Sequence, residues 1–400
     1  MSWPLVKMSD TFLGLYDGPH GTPRPSDEGR VFLGIGNITD DGHLDLSSAR
    51  RIADDQFAQW TKRVTPQPKD IVFTYEATLN RYAIIPNGFD GCLGRRVALI
   101  RPNPDVADYR FLFYSFFSRE WRETIERNRL SGATVDRVPL SLFPNFPIRL
   151  PSLPIQHRIA DILSAYDDLI ENNTRRIAIL EDMARRLFEE WFACAESENE
   201  LEINGWRTAS LKEVAEISYG FPFKSNQFSA QANGTPVVRI RDVPDGRSNT
   251  WTQEPFDPKY TVKNGDILIG MDGIFHMSQW SGGDAALNQR VARLRPREGF
   301  SRGFIFLSAY PQIKFFEATI TGTTVAHLGA KHLDTIRIRV APPDVQRKAD
   351  EFLSEIDAQV LCLRVTNTNL RATRDLLLPK LISGGIEVRA AEEELEAAAA

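Results

Sequence analysis

The sequence predicts a mixed α/β (α+β) protein with two similar globular domains and two long antiparallel coiled-coil helices, in the chain order domain, helix, domain, helix. Three observations carry that expectation. A heptad seam runs through 153–192, a second runs through 343–381, and the two segments ahead of them match each other in order and content. The expected boundaries are 1–152 for the first domain, 153–193 for its helix, 194–205 for an acidic linker, 206–341 for the second domain, 342–384 for its helix and 385–400 for an acidic, flexible tail.

The first helix has apolar or small residues at alternating steps of four and three: Ile159, Leu163, Tyr166, Ile170, Asn173, Ile177, Leu180, Ala184, Leu187 and Trp191. That spacing keeps one stripe facing a partner helix. Pro151 and Pro154 mark its start, because proline bars helix for the residue before it. The second seam runs Ala349, Leu353, Ile356, Val360, Leu363, Asn367, Leu370, Arg374, Leu377 and Leu381. Gln156, Leu163 and Asp167 recur as Gln346, Leu353 and Asp357. Each seam holds one asparagine, Asn173 or Asn367, the residue that fixes helix register. The helices are therefore expected to pair with each other.

The first domain contains strand candidates at 31–35, 71–75, 82–85 and 96–100, separated by Gly, Pro and Asn-Gly turns, and one helix at 109–125. The second repeats the order. Gly34-Ile35-Gly36-Asn37 matches Arg239-Ile240-Arg241-Asp242, Lys69-Asp70-Ile71 matches Gly265-Asp266-Ile267, and LGRRVALIRP from Leu93 matches LNQRVARLRP from Leu287. Ser131-Gly132-Ala133-Thr134-Val135 likewise matches Thr321-Gly322-Thr323-Thr324-Val325. Two binding domains joined by paired rods suit a ligand with two separated halves, and duplex DNA is the obvious one.

Composition is that of an ordinary globular chain, 42% hydrophobic and 25% charged over 400 residues. Cys92, Cys194 and Cys362 lack metal-ligand spacing, and no signal peptide or membrane span is legible, so a cytoplasmic location and no membrane partner are expected. Net charge is −5, but 189–202 carry −6 and 386–400 carry −4, which leaves the body at +5. A mildly basic body permits DNA contact.

Catalytic patterns are missing. Gly34-Ile35-Gly36 faintly resembles a dinucleotide or S-adenosylmethionine loop, yet the second copy places arginines there. There is no phosphate loop, no HExxH, no base-holding Asn-Pro-Pro-aromatic stretch and no convincing nuclease pattern. Candidate DNA contacts are the polar loops after matched strands: Thr74, Tyr75, Asn80, Arg81 and Tyr82 in one domain, and Asp272, His276 and Gln279 in the other. Arg24, Lys224 and Lys331, in Gly- or Pro-rich loops, are candidates for phosphate contact.

The helix starts and the closing stretch resemble the specificity (S) subunits of type I restriction-modification systems. The motifs are Leu153-Pro154-Ile155-Gln156-His157-Arg158-Ile159, Asp167-Asp168-Leu169-Ile170-Glu171-Asn172-Asn173 and Leu376-Leu377-Leu378-Pro379-Lys380-Leu381-Ile382-Ser383-Gly384. The loop at Tyr75-Glu76-Ala77-Thr78-Leu79-Asn80 departs from the Arg-Gly and second Gly common in that family. The resemblance implies a non-catalytic reader of a bipartite, asymmetric site in double-stranded DNA, with its helices setting the gap. It also implies two methyltransferase (M) subunits and restriction/translocase (R) subunits as partners. S-adenosylmethionine, ATP and Mg would sit on those partners and no cofactor on this chain. Helix surface including Arg175, Arg176, Phe188 and Trp191 is an expected docking area, although Trp191 reads more simply as a seam residue. The rival classes are a stand-alone DNA methyltransferase or nuclease with a duplicated recognition region, and a stand-alone DNA-binding regulator.

Overall fold

The computed structural model describes residues 3–24, 26–131, 135–192, 205–320, 326–389, 391 and 395. It divides into two compact units, Met1–Asp168 with Leu370–Ala400, and Leu169–Asn369. Each unit therefore holds one domain and part of each long helix.

In the first unit, strands Phe12–Asp17, Val97–Pro102, Ile71–Thr74 and Tyr82–Ile84 form an antiparallel sheet in that order. A smaller sheet runs Arg50–Ile52, Arg30–Leu33, Gly91–Leu93, with the last two parallel. The second unit repeats both. Its four-stranded sheet runs Ala215–Tyr219, Val291–Pro296, Ile267–Gly270, Met277–Gln279. Its small sheet has Thr235–Val238 parallel to Ala285–Leu287, flanked by Trp251–Thr252 and Thr261–Val262.

The repeat extends to side-chain chemistry. Arg101 forks onto Asp70 (Nε to Oδ1 2.9 Å, Nη2 to Oδ2 2.8 Å), and Arg295 forks onto Asp266 (both 2.7 Å). In each domain the acid also accepts a backbone N–H three residues upstream, from Gln67 or Lys263, both at 2.8 Å. The turn before the strand needs positive φ: Lys69 at 74° and Gly265 at 89°. The segment with the faint cofactor-loop pattern is a 3-10 turn in both copies, Ile35–Asn37 and Ile240–Asp242. There Asn37 accepts from Gly34 N (2.9 Å) and Asp242 from Arg239 N (2.8 Å). One backbone device is thus filled by two different polar side chains.

The helix expected over 109–125 is two helices, Tyr109–Ser115 and Arg119–Arg127. Asp108 caps the first and Ser118 the second, its hydroxyl accepting from Trp121 N at 3.3 Å. The cap ended what apolar periodicity alone ran together. The second domain has one continuous helix, Arg302–Thr319.

The long helices span Leu153–Phe192 and Pro343–Ser383. Fully buried Gln156 ties the first to its domain: Oε1 accepts from Asp108 N (2.9 Å), and Nε2 donates to Val106 O (3.0 Å) and Pro151 O (2.9 Å). Gln346 does likewise at the second, accepting from Ala341 N (3.2 Å) and donating to Asp350 (2.8 Å).

Within the second unit the helices pair antiparallel: Trp191 meets Phe352 edge-on at 5.5 Å, Glu181 meets Arg364, and Asn173 meets Asn367. In the first unit Ile159, Leu163 and Tyr166 are buried, as are Leu370, Leu377 and Leu381. Each such leucine stabilises by about 1.5–3 kcal/mol when fully buried. Arg374, also on the seam, is satisfied by an ion pair to Asp167, which accepts as well from the Tyr114 hydroxyl (2.6 Å).

Phe188, expected as docking surface, stacks on Phe192 at 4.7 Å and packs on the second unit's core. Arg175 pairs with Glu171 one turn away. The 132–134 and 321–325 parts of the matched loops, and the acidic linker except Gly205, lie outside the described residues. So does most of the tail, although Ala391 is buried and 388–389 are helical.

Candidate nucleic-acid interface

Each domain builds a polar corner where its central strand ends, and the two corners share one construction. After Ile71–Thr74 the chain passes Tyr75 and Glu76 to Ala77, held at φ 70°; after Ile267–Gly270 it passes Met271 and Asp272 to Gly273, at φ 72°. Two further segments close on this turn. Tyr75 N donates to Arg96 O (3.4 Å) and Met271 N to Arg290 O (2.9 Å). On the other side Val138 N donates to Tyr75 O and Leu328 N to Met271 O, both at 2.8 Å. Glu76 bridges Arg137 and Asp272 bridges His327 through the backbone.

The side chains follow suit. Arg96 Nε lies 3.5 Å from Glu76 Oε1, and Arg290 Nε lies 3.4 Å from Asp272 Oδ2. His327 Nδ1 adds a 2.6 Å contact to Asp272. Half-exposed Arg290 is held by a carboxylate while still facing water, as a guanidinium poised for an anion is held. Sequence reasoning matched the segments containing Arg96 and Arg290 without marking either. An arginine kept at one place in both copies was the available signal.

The candidates sort by burial. Tyr82 is 2% exposed; its hydroxyl accepts from Trp121 Nε1 (2.8 Å) and donates to Asn80 Oδ1 (3.2 Å), amid Phe73, Phe116 and Phe117. Gln279 is buried and donates to Asp357. Neither side chain reaches a surface, which corrects both expectations. The reason is nonlocal: Trp121 and Asp357 arrive from distant helices. Thr74 and Tyr75 are also buried, at 3% and 8%, and their hydroxyls have no hydrogen-bond partner among the described residues. Burial first, then Asp17 and Glu76, pushes the Tyr75 phenol up to about 12.

Others remain accessible. Asn80 sits at φ 64°, and Arg81 pairs with Asp40 (2.6 Å) and donates to Ile38 O (3.3 Å). His276 is half-buried in the matching turn. Arg24 is exposed and pairs with Asp55 at 2.7 Å. Lys224 and Lys331 are exposed, with no side-chain partner among the described residues. Among the described residues no hydrogen bond or ion pair joins any two of these side chains.

Among the described residues no group of three or more His, Cys, Asp or Glu is placed to hold a metal ion, and no helix is long and apolar enough to cross a membrane.

The Type I restriction modification DNA specificity domain matches residues 29–182 and again 203–369. Over 186 residues the chain is 29% identical to the EcoBI type I restriction enzyme specificity subunit of Escherichia coli, covering 45% of this chain and 39% of that relative. The MjaVIII specificity subunit of Methanocaldococcus jannaschii is 26% identical over 328 residues, 76% of each chain. The fold resembles the crystal structure of a type I restriction-modification S subunit from M. genitalium, with TM-score 0.56, 17% identity, and 95% and 96% of the two chains covered.

Proposed function

This chain belongs to the type I restriction-modification DNA specificity family, and from that premise we infer that it is a specificity subunit reading a bipartite DNA site, one half per domain. The observation that carries the reading is the family match in both halves of the chain, at 29–182 and 203–369. The duplicated corners agree with it, since one backbone frame carries different side chains in the two domains.

In this reading the corner arginines Arg96 and Arg290 meet phosphates, together with Arg24, Lys224 and Lys331. Base edges are left to variable loop residues, among them Asn80, Arg81, Asp272 and His276. The chain performs no chemistry itself. Methyltransferase subunits dock on it and supply S-adenosylmethionine chemistry to adjacent bases, and restriction subunits with ATP and Mg complete the assembly. The helix pair sets the spacer between half-sites.

The test replaces 1–152 with the matching region of a relative, in complex with the methyltransferase partner, and sequences the methylated sites. One half-site should change and the other persist. Simultaneous change of both would refute independent reading, and methylation by the chain alone would make it an enzyme instead.

A further inference from the structure

Beside its small sheet the second domain has a cleft of about 280 Å³ lined by Gln227, Ser229, Gln231, Asn233, Trp251 and Gln253. No side chain in the lining is charged. Four are carboxamides, and among the described residues none of these four side chains makes a hydrogen bond. Trp251, half-buried, provides the apolar wall.

The backbone that builds the cleft also exists in the first domain. Ser229 and Trp251 exchange backbone hydrogen bonds (both 2.9 Å), and Ser26 and Arg51 form the corresponding antiparallel bridge. Gly234, at φ 97°, lies so close to Thr252 that a Cβ would stand 2.2 Å from its carbonyl oxygen. Gly29, at φ 106°, stands in the same relation to Ile52. Strand register equates Thr252 with Ile52 and Trp251 with Arg51.

On that shared frame the first domain presents charges. Arg51 donates to Gly29 O (2.8 Å) and Arg30 pairs with Asp54 (3.2 Å). The second domain presents carboxamides and an indole. A frame kept through duplication while its side chains change class is what two readers of different half-sites require.

We propose that this cleft is a second specificity-determining surface of the second domain, in addition to Asp272 and His276, reading base edges of its DNA half-site with a preference for A·T pairs. It rests on the DNA-reading function argued above. Lack of charge makes the lining a poor phosphate site. One carboxamide offers a donor and an acceptor side by side, the pattern adenine presents in the major groove through N7 and N6, and the Trp251 face suits the thymine methyl. The charged counterpart gives the first domain its different half-site.

The experiment uses the complex with its methyltransferase partner, comparing wild type with Gln231→Ala/Gln253→Ala and, separately, Trp251→Arg. Methylated-site sequencing and competition binding against single-base variants are the readouts. The double variant should lose about tenfold or more of its discrimination at one or two A·T positions of the second-domain half-site. The first half-site and the salt dependence of binding should not change, because no charge is removed. Trp251→Arg should alter preference within the same positions. The intact first half-site doubles as the control for folding. Unchanged preference in both variants would overturn the proposal while leaving the DNA-reading function intact, as would relaxation of both halves together. A wild-type complex that methylates no bipartite site would instead remove the reading on which the proposal rests.

Discussion

Asn173 donates to Asn367 through Nδ2 to Oδ1 at 2.9 Å, where both side chains are buried. Asn367 Nδ2 in turn donates to Ile170 O (3.2 Å) and Thr174 Oγ1 (3.3 Å). A buried amide pair satisfied from both helices penalises every other register, since any slip leaves amides unpaired in an apolar seam.

Either asparagine replaced by alanine should therefore destabilise by about 1–3 kcal/mol, because the remaining amide loses its partner. Asn173→Leu with Asn367→Leu should cost little stability yet loosen register. Urea denaturation measures the first effect. Cross-linking of a Glu181→Cys/Arg364→Cys pair measures the second, and undiminished cross-linking in the leucine variant would count against the register role.

Tyr82 and Arg290 should separate cleanly. Tyr82→Phe leaves the buried Trp121 N–H without its acceptor and should cost about 1–3 kcal/mol, with the recognised DNA sequence unchanged. Arg290→Ala should barely affect stability, weaken DNA binding across sequences alike and lower the salt slope by about 1. Thermal melting and salt titrations of the complex check the pair.

Stability should fall at alkaline pH. Cys92 is fully buried, and burial pushes its thiol from 9.0 up to about 12. The unfolded thiol ionises near pH 9 while the native one keeps its proton, so this contribution is complete below pH 9 and is lost as pH rises toward 12. The slope is about 1.4 kcal/mol per pH unit for each such group. Cys92→Ala should flatten urea stability measured between pH 9 and 10.5. Cys362, which is exposed, should react with iodoacetamide at pH 8 long before Cys92 does.

Lengthening both long helices by one heptad should add about 10 Å of rod. If the pair sets the spacer, that is roughly three base pairs at about 3.4 Å each. Lengthening one helix alone should shear the seam and expose its leucines. Methylated-site sequencing of the doubly lengthened complex should return both half-sites with a longer gap. A functional variant that keeps the original gap would show that other contacts fix the distance.

The duplication, the two seams and their paired asparagines were legible in the sequence because heptad spacing and repeated order are local and periodic. Asp70–Arg101 and Asp266–Arg295 sat in matched segments for the same reason. The corners were only half legible: Glu76 and Asp272 close on Arg96 and Arg290 from one segment and on Arg137 and His327 from another, partners the turn itself does not name. Tyr82 and Gln279 looked like loop contacts until Trp121 and Asp357 buried them. Propensity and period decide which face of an element is apolar. Whether a polar side chain on that element meets solvent or a buried partner is decided by elements far away in sequence, so only the tertiary structure could tell them apart.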